Sequence, residues 1–353
     1  MTTLRLPGLI DPHVHLRDPG AVHKEDWDSG TAAALAGGFT CVLDMPNNTP
    51  PMVDESSLVA KEAAAAARAR CDYGLHFGAG EHNAAEAARL SARCTGLKLY
   101  LDATFGPLRL DDLRSLEQHF AHWPKDRPIL AHAEGRTVAA VLFVAHLHDR
   151  PVHICHVSKR DEIELIASAR AKGVRVTCEV CPHHMFLTRD AALAPGFIEV
   201  RPRLATQDDV DALWAHLSVI DCFATDHAPH TRAEKESQNP PPGFPGLETA
   251  LPLWLTAVQA GKLSLEDVLS RMNSNPARIF ALPAQPDTWI EVDPDHVWTV
   301  RAAEAQSRCG WSPFEGWQLC GRVTKVTLRG QLAYDGEKVL SAPGTGRNVR
   351  SMV

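Results

Sequence analysis

Two periodicities take turns along this chain. Short runs of apolar and β-branched residues at 5–16, 39–45, 71–79, 96–101, 128–134, 152–157, 175–180 and 219–225 have the length and composition of buried strands. Between them, Ala-rich or amphipathic stretches at 28–36, 55–70, 84–93, 111–122, 135–148, 160–172 and 208–216 repeat apolar residues at helical spacing. Gly37-Gly38 and Gly173 stand where two of these helices would stop. Such alternation argues for parallel strands joined by crossover helices, and so for an α/β fold of the TIM-like (β/α)8 barrel type.

Past residue 226 the rhythm changes. A Pro/Gly-rich loop at 239–246 is followed by helical stretches at 247–260 and 264–272, and then by short β-like runs at 289–292, 298–300 and 323–329 separated by turn residues. The expectation is a barrel over 1–285 and a small β-rich appendage over 286–353 packed on it, with Trp311 and Trp317 in the appendage core.

Composition narrows the partners. A chain of 353 residues with 44% hydrophobic content suits one barrel of about 250 residues plus extras. The net charge of −7 is spread without a basic stripe, which argues against nucleic acid as a partner and for a small molecule. No apolar run approaches the ~20 residues that cross a bilayer, so no membrane span is expected. Nine cysteines, an odd number, and the lack of a signal-like opening point to reduced thiols in the cytoplasm.

Chemistry enters at His13-Val14-His15. Residues two apart on a strand share a face, so both imidazoles can converge on one ion. The pair alone is a weak signal. It gains weight because His132, His156 and Asp226 also follow apolar runs, and barrels of this type carry their chemistry at the C-terminal ends of strands. Imidazole with carboxylate is ordinary zinc ligation.

The motifs HVHLR (13–17), MPN (45–47), GLKLYL (96–101), AHAE (131–134), ICHV (154–157), CPHH (181–184), DHAPH (226–230) and PGFPGLET (242–249) together resemble the dihydroorotases of the amidohydrolase superfamily, over nearly the whole chain and most closely in their animal-type multifunctional form. The resemblance implies the reversible cyclisation of N-carbamoyl-L-aspartate to L-dihydroorotate in pyrimidine synthesis. It also implies two zinc ions, His13, His15 and Asp226 holding one and His132 and His156 the other, bridged by hydroxide and by Lys98 as its carbamate. Carbamate formation starts from a neutral amine, which burial favours. Asp226 would carry the catalytic proton. Cys155 and Glu179 match positions that, with His13, could hold a third zinc.

For the substrate, the resemblance assigns Arg17, Asn47 and His230 to a carboxylate clamp, Arg201 and Gly246 to the ring, and Thr104 and Phe105 to the tip of a closing loop. Asp102-Ala103 departs from the Asn-Glu expected there, which bears on how that loop moves. Arg17 has a plainer reading as a salt bridge to Asp18 or Glu25. His183 and His184 read as hydrogen-bonding or packing residues beside the site. The resemblance further implies a homodimer and neighbouring carbamoyl-phosphate synthetase and aspartate transcarbamoylase modules, and the early start of the first strand suggests an excised domain. Two other readings compete: a related cyclic amidase such as a dihydropyrimidinase, hydantoinase or allantoinase, and an inactive scaffolding domain.

Overall fold

The computed structural model describes residues 3–351. Its strands in chain order are β1 (Leu4–Pro7), β2 (Leu9–Val14), β3 (Phe39–Asp44), β4 (Asp72–Gly78), β5 (Gly96–Tyr100), β6 (Ile129–His132), β7 (Val152–Ile154), β8 (Val176–Val180), β9 (Cys222–Phe223), β10 (Trp289–Thr299), β11 (Gln318–Leu328) and β12 (Gln331–Tyr334). Strands β2 to β9 pair in parallel in sequence order to form an eight-stranded sheet wrapped by helices, the expected TIM-like barrel. Apart from half-buried Thr177, every residue of these strands is buried, as parallel strands covered by helices on the outside and packed side chains inside must be. Strand β9 is short, and the barrel is drawn together just beyond it. Val14 bridges His227, and the His15 N–H donates to the His227 carbonyl at 2.8 Å. That closure brings the HxH pair beside Asp226.

The first expected strand, 5–16, is two strands in two sheets. Leu4–Pro7 alternates in burial and pairs antiparallel with β10, whereas Leu9–Val14 is wholly buried in the barrel. Gly8 permits the crossing between them, since a Cβ there would lie 2.2 Å from the Thr40 hydroxyl. The second sheet runs β1-β10-β11-β12. The runs expected at 289–292 and 298–300 form one strand, and Asp293-Pro294-Asp295, read as a turn, lies at a break in the β10–β11 register. At the other end, the Tyr73 N–H donates to the Arg347 carbonyl and the Val349 N–H to the Tyr73 carbonyl, so the last described residues return to the barrel.

Three further differences are local. The stretch expected as a strand at 219–225 pairs as a strand only at Cys222–Phe223, and it opens in the 3₁₀ turn Leu217–Val219. Trp311 is buried as expected, but Trp317 is 38% exposed and packs edge-on against Phe314. All nine cysteines are free. Cys178 and Cys181 stand at C-x-x-C spacing, but an odd offset along an extended backbone turns the two side chains apart.

Candidate metal centre and anion pocket

Five of the expected ligands meet at the mouth of the barrel. Each lies at or just beyond the end of its strand: His13 on β2 and His15 after it, His132 on β6, His156 after β7, and Asp226 after β9. One Asp226 oxygen lies 3.0 Å from His15 Nε2 and 3.3 Å from His13 Nε2. The His132 Nδ1 and His156 Nε2 atoms are 2.9 Å apart, and the His13 and His156 rings approach to 5.2 Å between centroids. His13, His156 and Asp226 can offer one ligand atom each within 4.8 Å of one another, so this trio straddles the two ligand sets implied by the resemblance. His156 and Asp226 hold φ of 33° and 46°, left-handed backbone that side-chain-bearing residues rarely adopt and that clusters at functional sites.

The electrostatics suit a cation. Burial drives His15 down to about 3 and lowers His132 and His156 as well, so these imidazoles are neutral and have lone pairs to offer. Burial alone would raise Asp226, but the neighbouring His13 and His15 rings hold it well below the usual carboxylate range. His132 Nε2 and His156 Nδ1 are buried with no hydrogen-bond partner. Neutral imidazoles, an ionised carboxylate and orphaned buried nitrogens form a donor set that fits zinc.

Lys98, on β5, is fully buried, and its ammonium donates to Cys155 Sγ at 3.0 Å while lying 5.1 Å from the Tyr100 ring centroid. No carboxylate pairs with it among the described residues. A second cluster lies on the inner side of His13, where Nδ1 is 2.5 Å from Glu179 Oε1, and His13, Cys155 and Glu179 can also bring ligand atoms within 4.8 Å of one another. Below it, Asp11 ties β2 to the chain after β9, accepting from the Thr225 hydroxyl at 2.5 Å and the Thr225 N–H at 3.2 Å. Burial pushes Asp11 up to about 7.

Beside the cluster lies a cationic pocket. Arg17 is 4% exposed and holds φ of 61°, and none of the described carboxylates lies within salt-bridge distance of it. Its alternative partners are taken: Asp18 pairs with Arg68 at 2.8 Å, and Glu25 accepts from the Ser29 and Ser307 hydroxyls. Arg17 Nε donates to the Pro229 carbonyl at 3.2 Å, and its guanidinium carbon lies 5.1 Å from the Phe105 ring centroid. His230 sits between Arg17 Nη2 at 3.2 Å and the Lys24 ammonium at 3.1 Å. Burial, then these cations, hold it neutral. Asn47 accepts from His15 Nδ1 at 2.7 Å and donates to the Phe105 carbonyl at 3.0 Å.

Residues 4–285 match the model of the Amidohydrolase family. The chain belongs to the amidohydrolase family. It is 51% identical over 351 residues to the multifunctional protein pyr1-3 of Dictyostelium discoideum, a match that covers 99% of this chain and 16% of that protein, so the chain spans about a sixth of that relative's length. A dihydroorotase of Pyrococcus furiosus is 34% identical over 365 residues, covering 98% of this chain and 85% of that enzyme. Among solved structures, an L-hydantoinase from Arthrobacter aurescens superposes with a TM-score of 0.91 at 25% identity, covering 98% of this chain and 89% of that one. The inactive dihydroorotase-like domain of a Chaetomium thermophilum multifunctional protein superposes with a TM-score of 0.86 at 30% identity, with 99% of each chain covered.

In this amidohydrolase the remaining expected contacts are unevenly gathered. Phe105 packs edge-on against His230 at 5.2 Å between centroids, while Thr104, beside it, makes no side-chain hydrogen bond among the described residues. Asp102 anchors the start of their loop by accepting from the Glu134 N–H at 2.8 Å. Gly246 donates its N–H to His227 Nδ1 at 3.1 Å, and a Cβ on it would press on Thr225. Arg201 is not gathered into the cluster; its side chain folds back onto Glu199 at 3.0 Å and the Val200 carbonyl at 2.8 Å. His184 Nε2 donates to the Pro202 carbonyl at 3.0 Å, whereas His183 Nε2 is buried without a partner.

Sequence reasoning missed Lys24, which is 5% exposed, pairs with Glu234 at 2.9 Å and lies 4.7 Å from the Phe105 ring centroid. A lone lysine in a polar stretch gives no signal of burial. It also missed a cavity of about 430 Å3 between the helix Leu247–Gln259 and the antiparallel sheet, walled by Leu247, Trp298, Val300, Trp311 and Tyr334. That cavity touches the site through His227 and Gly246 and does not contain the ligand cluster.

Proposed function

We propose that this chain is a zinc-dependent dihydroorotase that cyclises N-carbamoyl-L-aspartate to L-dihydroorotate, reversibly, for pyrimidine synthesis. The observation that carries the reading is Arg17, a buried cation beside a metal-ligand cluster with no carboxylate of its own. A buried charge is stable only when paired, and a guanidinium fork matches a carboxylate. Dihydroorotate has that carboxylate, whereas the plain rings of dihydrouracil and hydantoin lack it. The likeness to an inactive domain would suit a chain that had lost ligands, but His13, His15, Lys98, His132, His156 and Asp226 are all present in this sequence.

His13, His15, His132, His156 and Asp226 would hold two zinc ions together with Lys98 as its carbamate, with Cys155 and Glu179 available beside His13 for a third. When bound, the two ions supply an activated water near neutral pH and polarise the ring amide carbonyl. Arg17, His230 and Asn47 hold the substrate carboxylate, with Asn47 giving up the Phe105 carbonyl to donate to it. Asp226 takes the proton of the attacking water in ring opening and returns it to the departing nitrogen. In cyclisation the roles reverse, so synthesis runs better at lower pH and hydrolysis at higher pH. Thr104 and Phe105 close over the ring and exclude water, and Gly246 borders it.

The chain would act in the cytoplasm as a homodimer, joined to carbamoyl-phosphate synthetase and aspartate transcarbamoylase modules. The match to a sixth of a multifunctional relative supports the attachment to further modules, and none of the described helices is long and apolar enough to cross a membrane. Metal-stripped protein titrated with zinc tests the centre. Dihydroorotate hydrolysis that rises to a plateau at two equivalents per chain is the expected result. Full activity without added metal in the presence of a strong chelator would overturn it.

A further inference from the structure

Behind His13 lies a chain of buried polar side chains that the proposed mechanism leaves unused. Thr177 Oγ1 is 2.8 Å from His153 Nδ1, His153 Nε2 is 3.1 Å from Glu179 Oε2, and Glu179 Oε1 is 2.5 Å from His13 Nδ1. His153, Glu179 and His13 are at most 1% exposed, so no bulk water substitutes for the links between them. His153 packs edge-on against Phe280 at 5.5 Å between centroids, which fixes its ring plane.

Each link constrains the next. A neutral imidazole has one N–H and one lone pair. Were the His153 proton on Nδ1, its Nε2 lone pair would face a carboxylate oxygen in a dry interior. With the Thr177 hydroxyl donating to Nδ1, the proton is on Nε2 and is donated to Glu179. Glu179 then offers its other oxygen to His13 Nδ1–H, and the His13 lone pair is left on Nε2, the nitrogen 3.3 Å from Asp226. The His156 N–H also lies 3.4 Å from Glu179 Oε1.

We propose that His153, oriented by Thr177, is a positioning residue for the metal centre: it anchors Glu179, and Glu179 sets which nitrogen of His13 faces the pocket. A hydrogen-bonded partner behind a ligating histidine fixes its tautomer and raises its basicity, and loss of such a partner typically lowers metal affinity about 10–100-fold. Where an ion takes the place of the proton between Glu179 and His13, the same anchor presents Oε1 to it. This inference rests on the metal-centre reading above.

The test is zinc affinity by chelator competition on the full chain, beside the 15N signature of the His13 ring in metal-free protein, for Thr177→Val and His153→Phe. Thr177→Val keeps the shape of a half-buried residue and serves where His153→Phe fails to fold. The expected result is zinc binding weakened about 10–100-fold in each folded variant, with Thr177→Val showing a mixture of His13 tautomers where the parent shows only Nδ1–H. Unchanged zinc affinity and an unchanged His13 signature in a folded Thr177→Val would overturn the proposal. If the parent itself binds no zinc, the failure lies with the metal-centre reading instead.

Discussion

His15 Nδ1 stands 2.7 Å from Asn47 Oδ1. One amide thereby joins the metal-ligand cluster to the loop that carries Phe105, because Asn47 Nδ2 donates to the Phe105 carbonyl. Asn47→Ala should therefore damage two things at once: the orientation of a ligating imidazole and the seat of the substrate carboxylate. The expected outcome is a fall in kcat of about 10–100-fold with a rise in KM. A change in KM alone would show that His15 does not need this partner.

Arg17→Lys tests the anion pocket separately. Lysine keeps the charge but loses the planar fork that matches a carboxylate. A loss of about 2 kcal/mol of binding, or roughly 30-fold in kcat/KM for dihydroorotate, is expected from one charge-assisted pair. Zinc content should not change, and a parallel loss of zinc would mean that Arg17 supports the cluster instead of the substrate.

The loop that presents Asn47 is itself pinned from below. Lys61, fully buried, reaches Asp44 Oδ2 at 2.5 Å, the Met45 carbonyl at 2.5 Å and Asn48 Oδ1 at 2.6 Å, while Asp44 Oδ1 accepts from the Leu16 N–H at 2.7 Å. Lys61→Met strands the Asp44 charge in a dry interior and should cost about 3–5 kcal/mol in denaturant unfolding. Adding Asp44→Leu should recover part of that loss, a coupling that two independent packing defects would not show.

Stability should also depend on pH through Glu248. Burial pushes its carboxyl from 4.5 up to about 7, despite hydrogen bonds from the Gln306 and Ser307 N–H groups. A group that holds its proton more tightly in the folded chain stabilises the fold below the unfolded pKa and loses that contribution as pH climbs from about 4.5 through about 7. Melting curves of Glu248→Gln and parent should therefore diverge across that window, with the parent losing more Tm. Parallel curves would show that the cavity hydrates Glu248 enough to keep it ionised.

Strand order and most strand positions were legible because buried parallel strands are continuous apolar runs, and the clustered residues were legible because an HxH pair, two further histidines and an aspartate each close or follow such a run. The first strand was not, because Gly8 breaks the segment between two sheets without any polar residue to mark the change. Lys24 and Lys61 carry no local sign that they are buried; both are placed by partners more than ten residues away. Arg201 shows the opposite error. Its motif was recognisable, yet the nearby Glu199 holds the side chain away from the cluster.

On this reading the metal cluster and the Arg17 pocket together select a ring bearing a carboxylate. Hydrolysis of dihydroorotate, dihydrouracil and hydantoin by the zinc-loaded chain, compared in one buffer as kcat/KM, tests that selection. Turnover of dihydroorotate at least about 100-fold above the uncharged rings is the predicted result, roughly the discrimination a buried ion pair supplies when its partner is missing. Equal or better turnover of the uncharged rings would contradict it and assign the chain to the other cyclic amidases, and no turnover of any ring would leave it a scaffold.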